Sequence, residues 1–299
     1  MRALIIGDID FLGFHVGKTL SDLGYDISFV GRIKGKSPAY KVGEVINTSI
    51  SNDYGIKAAF NKLSPDIVLF NEFPGNNVVN NSELKTYTEA LRILNEALFM
   101  YGCEHLYFRS SCDVYGSSGG VNKYKLKESD LCQPINYRGV HCKFAEDLFR
   151  VHCYLNKIKF TSLRVFELYG NCLPEKSEKS ILQNAIFFLY SNRGVGVNGP
   201  NRFMDFIHVE DAAVGMSSII NSKMCGPINV ASGNSVKLWT VLNAFSKIID
   251  KKGSLMKIEG EKYYFSSCAD VSKSSSLFSV EKVLEEEMVS MYNYFKGCK

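Results

Sequence analysis

The stretch MRALIIGDIDFLGFHVGKTLSDLGYDISFVGR, residues 1–32, reads as strand, glycine turn, helix and strand. Ala3-Leu4-Ile5-Ile6 is a short apolar run ending at Gly7, the pattern of a strand buried on both faces of a parallel sheet. Phe11, Leu12, Val16, Leu20 and Leu23 then recur at helical spacing, and Gly24 closes the helix. Tyr25 to Val30 alternates as a second strand. A strand, helix and strand in this order predict one crossover unit of an open parallel sheet.

Between the first strand and the helix lies Gly7-Asp8-Ile9-Asp10-Phe11-Leu12-Gly13, a turn of the dinucleotide-binding type whose middle glycine is replaced by Asp10. Glycines in such a turn let backbone N–H groups at the helix N-terminus approach a diphosphate. Gly7, Asp10, Phe11, Leu12 and Gly13 are therefore the candidate cofactor contacts. Asp8 and Asp10 repel a bound diphosphate unless they point away from it, and a βα turn also needs glycine for geometry alone.

Farther along, a third short strand is read over residues 43–50, a helix over 54–63, and an apolar strand at Ile67-Val68-Leu69-Phe70. Asn71 opens a polar loop at the carboxyl end of that strand, where ligands bind in open parallel sheets. A long helix over 84–100 leads to the strand His105 to Arg109, which ends in Ser110-Ser111-Cys112-Asp113-Val114-Tyr115-Gly116. The repeated units predict an α/β fold with a doubly wound parallel sheet, Rossmann-like, with a smaller C-terminal lobe. Residues 1–165 form the dinucleotide-binding domain in this reading. Residues 166–299 form mostly a substrate-binding lobe, with some segments returning to the sheet. Helices are expected over 180–190, from Val209, over 239–249 and over 280–295, with a strand over 227–231 and a turn over 272–276.

At 299 residues and 45% hydrophobic, the chain can bury a sizeable core. Its net charge of +4 is spread along the sequence, so a nucleic-acid surface is disfavoured. Nine cysteines without a C-x-x-C pair, and no signal-peptide pattern or long apolar span, give the expectation of a cytoplasmic protein with reduced thiols and no membrane contact. His15, His105, His141, His152 and His208 stand apart from the cysteines in no zinc pattern, so no metal is expected.

The opening turn, the Ser-Ser-x-x-Val-Tyr-Gly strand end, Leu163-Arg164-Val165-Phe166-Glu167-Leu168-Tyr169-Gly170 and Asp205-Phe206-Ile207-His208-Val209-Glu210-Asp211 together resemble the extended short-chain dehydrogenase/reductase superfamily. The chain is most similar there to the nucleotide-sugar epimerase/dehydratase group, over nearly its whole length. The resemblance implies a Ser or Thr, a Tyr and a Lys that move a proton while a nicotinamide carries hydride. Ser111 falls on the Ser/Thr position; its plainer reading is a strand-end cap. The group carries Tyr-x-x-x-Lys at a helix start, whereas here Tyr137 and Lys143 are six apart. Three registers stay open: Lys143 with Gly139 in the tyrosine place, Tyr137 with His141 in the lysine place, or a late helix start with Tyr137 in the turn before it.

Where the group often has an acid for the ribose of NAD, this chain has Gly31-Arg32, which suits the 2′-phosphate of NADP over NAD. The group's substrate-diphosphate asparagine aligns with Glu167, and Arg202 lies near the group's phosphate-binding arginine. Asn71 and Cys112, at the ends of two strands, complete the candidate substrate contacts. The implied activity is that of an NAD(P)-dependent epimerase, reductase or dehydratase acting on a nucleotide-activated sugar or related polyol. The alternative is a degenerate relative that binds a ligand, partner or RNA without redox chemistry. A homodimer through the helices over 84–100 and 145–155 fits their apolar stripes equally as a core-facing face does.

Overall fold

The computed structural model describes residues 1–33, 37–72, 81–116, 124–171, 181–190, 195–248, 256–260 and 266–297. The parts of the expected loops at 34–36 and 73–80 lie outside them. The opening stretch folds as β1 (Arg2–Gly7), α1 (Leu12–Asp22) and β2 (Asp26–Gly31). The chain continues through β3 (Glu44–Asn47), α2 (Asp53–Leu63), β4 (Ile67–Asn71), α3 (Asn81–Tyr101), β5 (His105–Ser111), α4 (Tyr137–Leu155) and β6 (Lys159–Val165). Then come β7 (Glu167–Tyr169), α5 (Ile181–Tyr190), β8 (Val195–Asn198), β9 (Phe203–His208), α6 (Val209–Asn221) and β10 (Gly226–Val230). Last are β11 (Ser235–Lys237), α7 (Leu238–Ile248), β12 (Met256–Gly260) and α8 (Leu284–Gly297).

Seven strands form one parallel sheet in the order β10-β6-β5-β4-β1-β2-β3. Strand order reverses at β1, which pairs with both β2 and β4. Alternation sorts each strand between two cores. Ile5, Phe29, Leu69, Tyr107 and Leu163 meet Leu12, Val16 and Leu20 of α1 and Met216 and Ile219 of α6. Leu4, Ile6, Val68, Phe70 and Phe108 meet Phe60 of α2, Leu91 and Leu94 of α3, and Phe149 of α4. Each fully buried Leu, Ile or Phe contributes about 1.5–3 kcal/mol, so the sheet is held from both faces and its carboxyl edge is fixed.

Helices α5, α7 and α8 share a third core, with Leu182, Leu242, Phe245, Met288 and Met291 against Tyr169 and Phe206. They cover a three-stranded sheet, β11-β9-β7; a two-stranded one pairs β12 with β8. The buried Asp205 carboxylate of β9 accepts from the Ser232 amide (2.9 Å), Ser232 Oγ (2.6 Å), the Gly233 amide (3.0 Å) and the Ala269 amide (3.1 Å). It thereby ties β9 to the segment leaving β10. The final helix begins at Leu284, four residues later than residue 280. The Lys282 amide donates to Asp211 Oδ2 (3.0 Å) and its Nζ pairs with Glu210 (3.0 Å), so this segment is held to α6 before the helix can start.

Candidate functional site

At the carboxyl end of β1, Gly7 takes a left-handed φ of +117°, and the chain turns back over Asn71. Asn71, fully buried at the end of β4, donates from Nδ2 to the Asp8 carbonyl (2.5 Å). A Cβ on Gly13 would stand 2.2 Å from that carbonyl oxygen, so glycine is required there. The Asp8 side chain folds back over the N-terminus of α1: Oδ1 accepts from the amides of Asp10 and Phe11, each at 3.3 Å. Its Oδ2 lies 3.8 Å from Nη1 of Arg109, a buried residue of β5. Phe11 and Leu12 are buried in the core, so their side chains hold the turn.

Burial raises the Asp8 carboxyl against the pull of Arg109 and of the two amides. Burial likewise pushes Glu72, next after β4, from 4.5 up to about 7, with the Asp8 charge adding to the rise and Arg109 opposing it. Oδ1 of Asp10 is buried with no hydrogen-bond partner among the described residues. The amides that a dinucleotide diphosphate needs are thus already donating to a carboxylate, and two more acids stand beside them. Like charges about 4 Å apart repel by about 4 kcal/mol at an effective dielectric of 20. The residues of this turn, as arranged, do not fit a diphosphate.

Beyond β5, Ser111 Oγ accepts from the Asp113 amide (3.1 Å) and caps the short 3-10 turn of Cys112–Tyr115. Helix α4 packs its first turn onto this one. Asn136 is its N-cap, accepting from the Gly139 amide (2.7 Å), and a Cβ on Gly139 would lie 2.4 Å from the Asp113 carbonyl oxygen. That close approach aims Arg138 at the strand end, where its Nε donates to Oδ2 of the buried Asp113. Glu167 adds its own attraction to this guanidinium. Cys142, one turn on, is fully buried, and burial pushes its thiol far up, which leaves it protonated and unreactive.

The Tyr137 ring is 62% exposed and stacks near His141, with centroids 6.5 Å apart. Lys143 pairs with the exposed Asp147 along the outside of α4. The helix starts at Tyr137 itself, so the i, i+4 pair turned toward Ser111 is Arg138 and Cys142. Burial lowers the His141 pKa. Among the described residues Ser111 accepts from the Asp113 amide beside Cys112, while Tyr137 stacks on His141 and Lys143 pairs with Asp147.

The sequence carried a signal for this register: an N-cap asparagine with glycine three residues on counts the cleft-facing residue as the one before Gly139. Asp113 and Arg138 were missed because a charged pair in the middle of Cys-Asp-Val-Tyr and Tyr-Arg-Gly reads locally as surface.

Glu167 Oε1 accepts from the Ile181 amide (3.1 Å) and caps the start of α5. The Arg202 backbone joins Gly199 (3.1 Å) to Leu238 (3.0 Å) between β8, β9 and α7. Arg32 follows β2 and is exposed. Among the described residues no group of three or more His, Cys, Asp or Glu is placed to hold a metal, and no helix is long and apolar enough to cross a membrane.

An open parallel sheet whose order reverses beside a glycine turn defines a doubly wound α/β protein of the Rossmann type. Residues 3–231 match the NAD dependent epimerase/dehydratase family, and the chain belongs to that family. A UDP-glucose 4-epimerase of Bacillus subtilis is 23% identical over 84% of this chain and 83% of its own length. The fold matches the UDP-glucose 4-epimerase of Thermus thermophilus in complex with NAD at a TM-score of 0.88, with 18% identity over all of both chains. It also matches a dTDP-glucose 4,6-dehydratase from Bacillus anthracis in complex with NAD at 0.83, with 13% identity over 99% of this chain and 97% of that one.

Proposed function

We propose that the protein takes a nucleotide-activated sugar into the cleft at the carboxyl ends of β4, β5 and β6, with residues 166–299 supplying most of the lobe over it. Membership of the epimerase/dehydratase family and the UDP-sugar 4-epimerases among its relatives support the ligand class. In this reading the cleft floor is Ser111, Asp113 and Arg138, not a tyrosine–lysine dyad. The observation that carries it is the Arg138–Asp113 pair, which occupies the side of α4 nearest Ser111. Arg202, at the foot of the small lobe, is the donor suited to a ligand phosphate. The ligand class, and Arg138 rather than Tyr137 pairing with Asp113 among the described residues, support a binding protein on an epimerase fold, acting in the cytoplasm.

A second reading rests on family membership: an NAD(P)-dependent epimerase, dehydratase or reductase in which Ser111 and Tyr137 handle the proton and Lys143 or His141 supports them. Arg32 then meets the 2′-phosphate of NADP. One experiment separates the two. Titrating UDP-glucose calorimetrically is expected to give saturable binding, while UDP-sugar with NAD or NADP yields no product by chromatography. Turnover that Tyr137→Phe abolishes would establish the second reading and remove the first.

We also propose a homodimer through α4, whose Tyr137, Val140, Phe144, Val151, Tyr154 and Leu155 form an outward apolar stripe. Sedimentation equilibrium is expected to give a dimer, and Phe144→Glu a monomer; a monomeric wild type rules this out.

A further inference from the structure

We infer that the Asp8 carboxylate sits where a dinucleotide's diphosphate would, so that the chain itself fills the anion seat at the N-terminus of α1. Three observations on different elements support this. The two amides that open the helix, those of Asp10 and Phe11, both donate to Asp8 Oδ1. From β5, Arg109 faces Asp8 Oδ2 at 3.8 Å, a buried cation spent on an internal acid. From the end of β4, Glu72 adds a further acid, buried and raised by the Asp8 charge, whose backbone stands against Gly7.

The chemistry is that of a built-in competitor. A carboxylate offers the same acceptor oxygens as a phosphate and the same attraction to the positive end of the helix dipole. It is tethered one residue after Gly7, so its local concentration exceeds that of any free nucleotide. An incoming diphosphate must displace Asp8 from both amides, and the displaced acid then stays beside it with Asp10 and Glu72. Arg109 offsets them in part. The consequence is a fold of nucleotide-binding design that does not take nicotinamide nucleotides in the usual seat.

The test titrates NADH and NADPH into the wild type, Asp8→Ala and Asp8→Asn, following nicotinamide fluorescence. Wild type is expected to show no saturable binding up to about 1 mM, and Asp8→Ala to bind at least about tenfold more tightly. Asp8→Asn keeps the shape of the side chain without its charge; it is expected to gain affinity too and decides the matter if Asp8→Ala does not fold. Wild-type binding as tight as that of the variants overturns the inference. So does failure of the folded variants to bind, since Asp8 is then not what fills the seat. UDP-glucose is titrated separately, so failure of the sugar-binding reading leaves this result intact, and the reverse holds.

Discussion

Glu146→Ala is expected to lower the unfolding free energy by about 3–5 kcal/mol, a large share of the roughly 5–15 kcal/mol typical of a folded domain. Glu146 sits on the buried face of α4 and meets Arg164 of β6 in a fork: Nε to Oε1 at 3.0 Å and Nη2 to Oε2 at 2.8 Å. Both side chains are buried, and Ser162 Oγ donates to the same Oε1 at 2.5 Å. The guanidinium also lies 4.8 Å over the Tyr115 ring, whose hydroxyl donates to Asn229 Oδ1 at 2.6 Å. Removing the carboxylate leaves a buried cation without its counter-ion, which costs more than the pair contributes when intact.

Urea unfolding measures the loss. The double variant Glu146→Met with Arg164→Met is expected to recover most of it, because no charge is then stranded. A loss below about 1 kcal/mol in Glu146→Ala would show that water reaches Arg164 and that the network does not lock α4 to the sheet.

The network matters to the site because α4 carries both Glu146 and Arg138, and the helix that is pinned to β6 presents its first turn to Ser111. That arrangement also explains what could be read from residues alone. The alternation Leu4-Ile5-Ile6 with Gly7 after it marks a doubly covered strand, since neighbours on both faces must be apolar, and β1, α1 and β2 follow from it. The short β8 pairs with β12, some 60 residues on, and neither carries a periodicity long enough to be read. The side chain of Asp8 takes its place through Arg109, a residue of another strand, and no local pattern encodes that meeting. Tyr137 and Lys143 drew attention by residue type, yet helix phase is set by Asn136 and Gly139, which bring their neighbours Arg138 and Cys142 inward.

Arg138→Ala carries the second large effect: a stability loss of about 3 kcal/mol or more at pH 8, against less than about 0.5 kcal/mol for Tyr137→Phe. Asp113 is 2% exposed, so without the guanidinium its carboxylate is stranded among Cys112, Val114 and Cys142. Asp113→Asn in the Arg138→Ala background is expected to remove most of the deficit, because no charge is then stranded. Guanidinium-chloride unfolding at pH 8 reads all four proteins. Should Tyr137→Phe prove the costlier change, the first turn of α4 would be rotated by about 100° from the phase described here, with the phenol turned inward and the acid/base assignment returned to Tyr137.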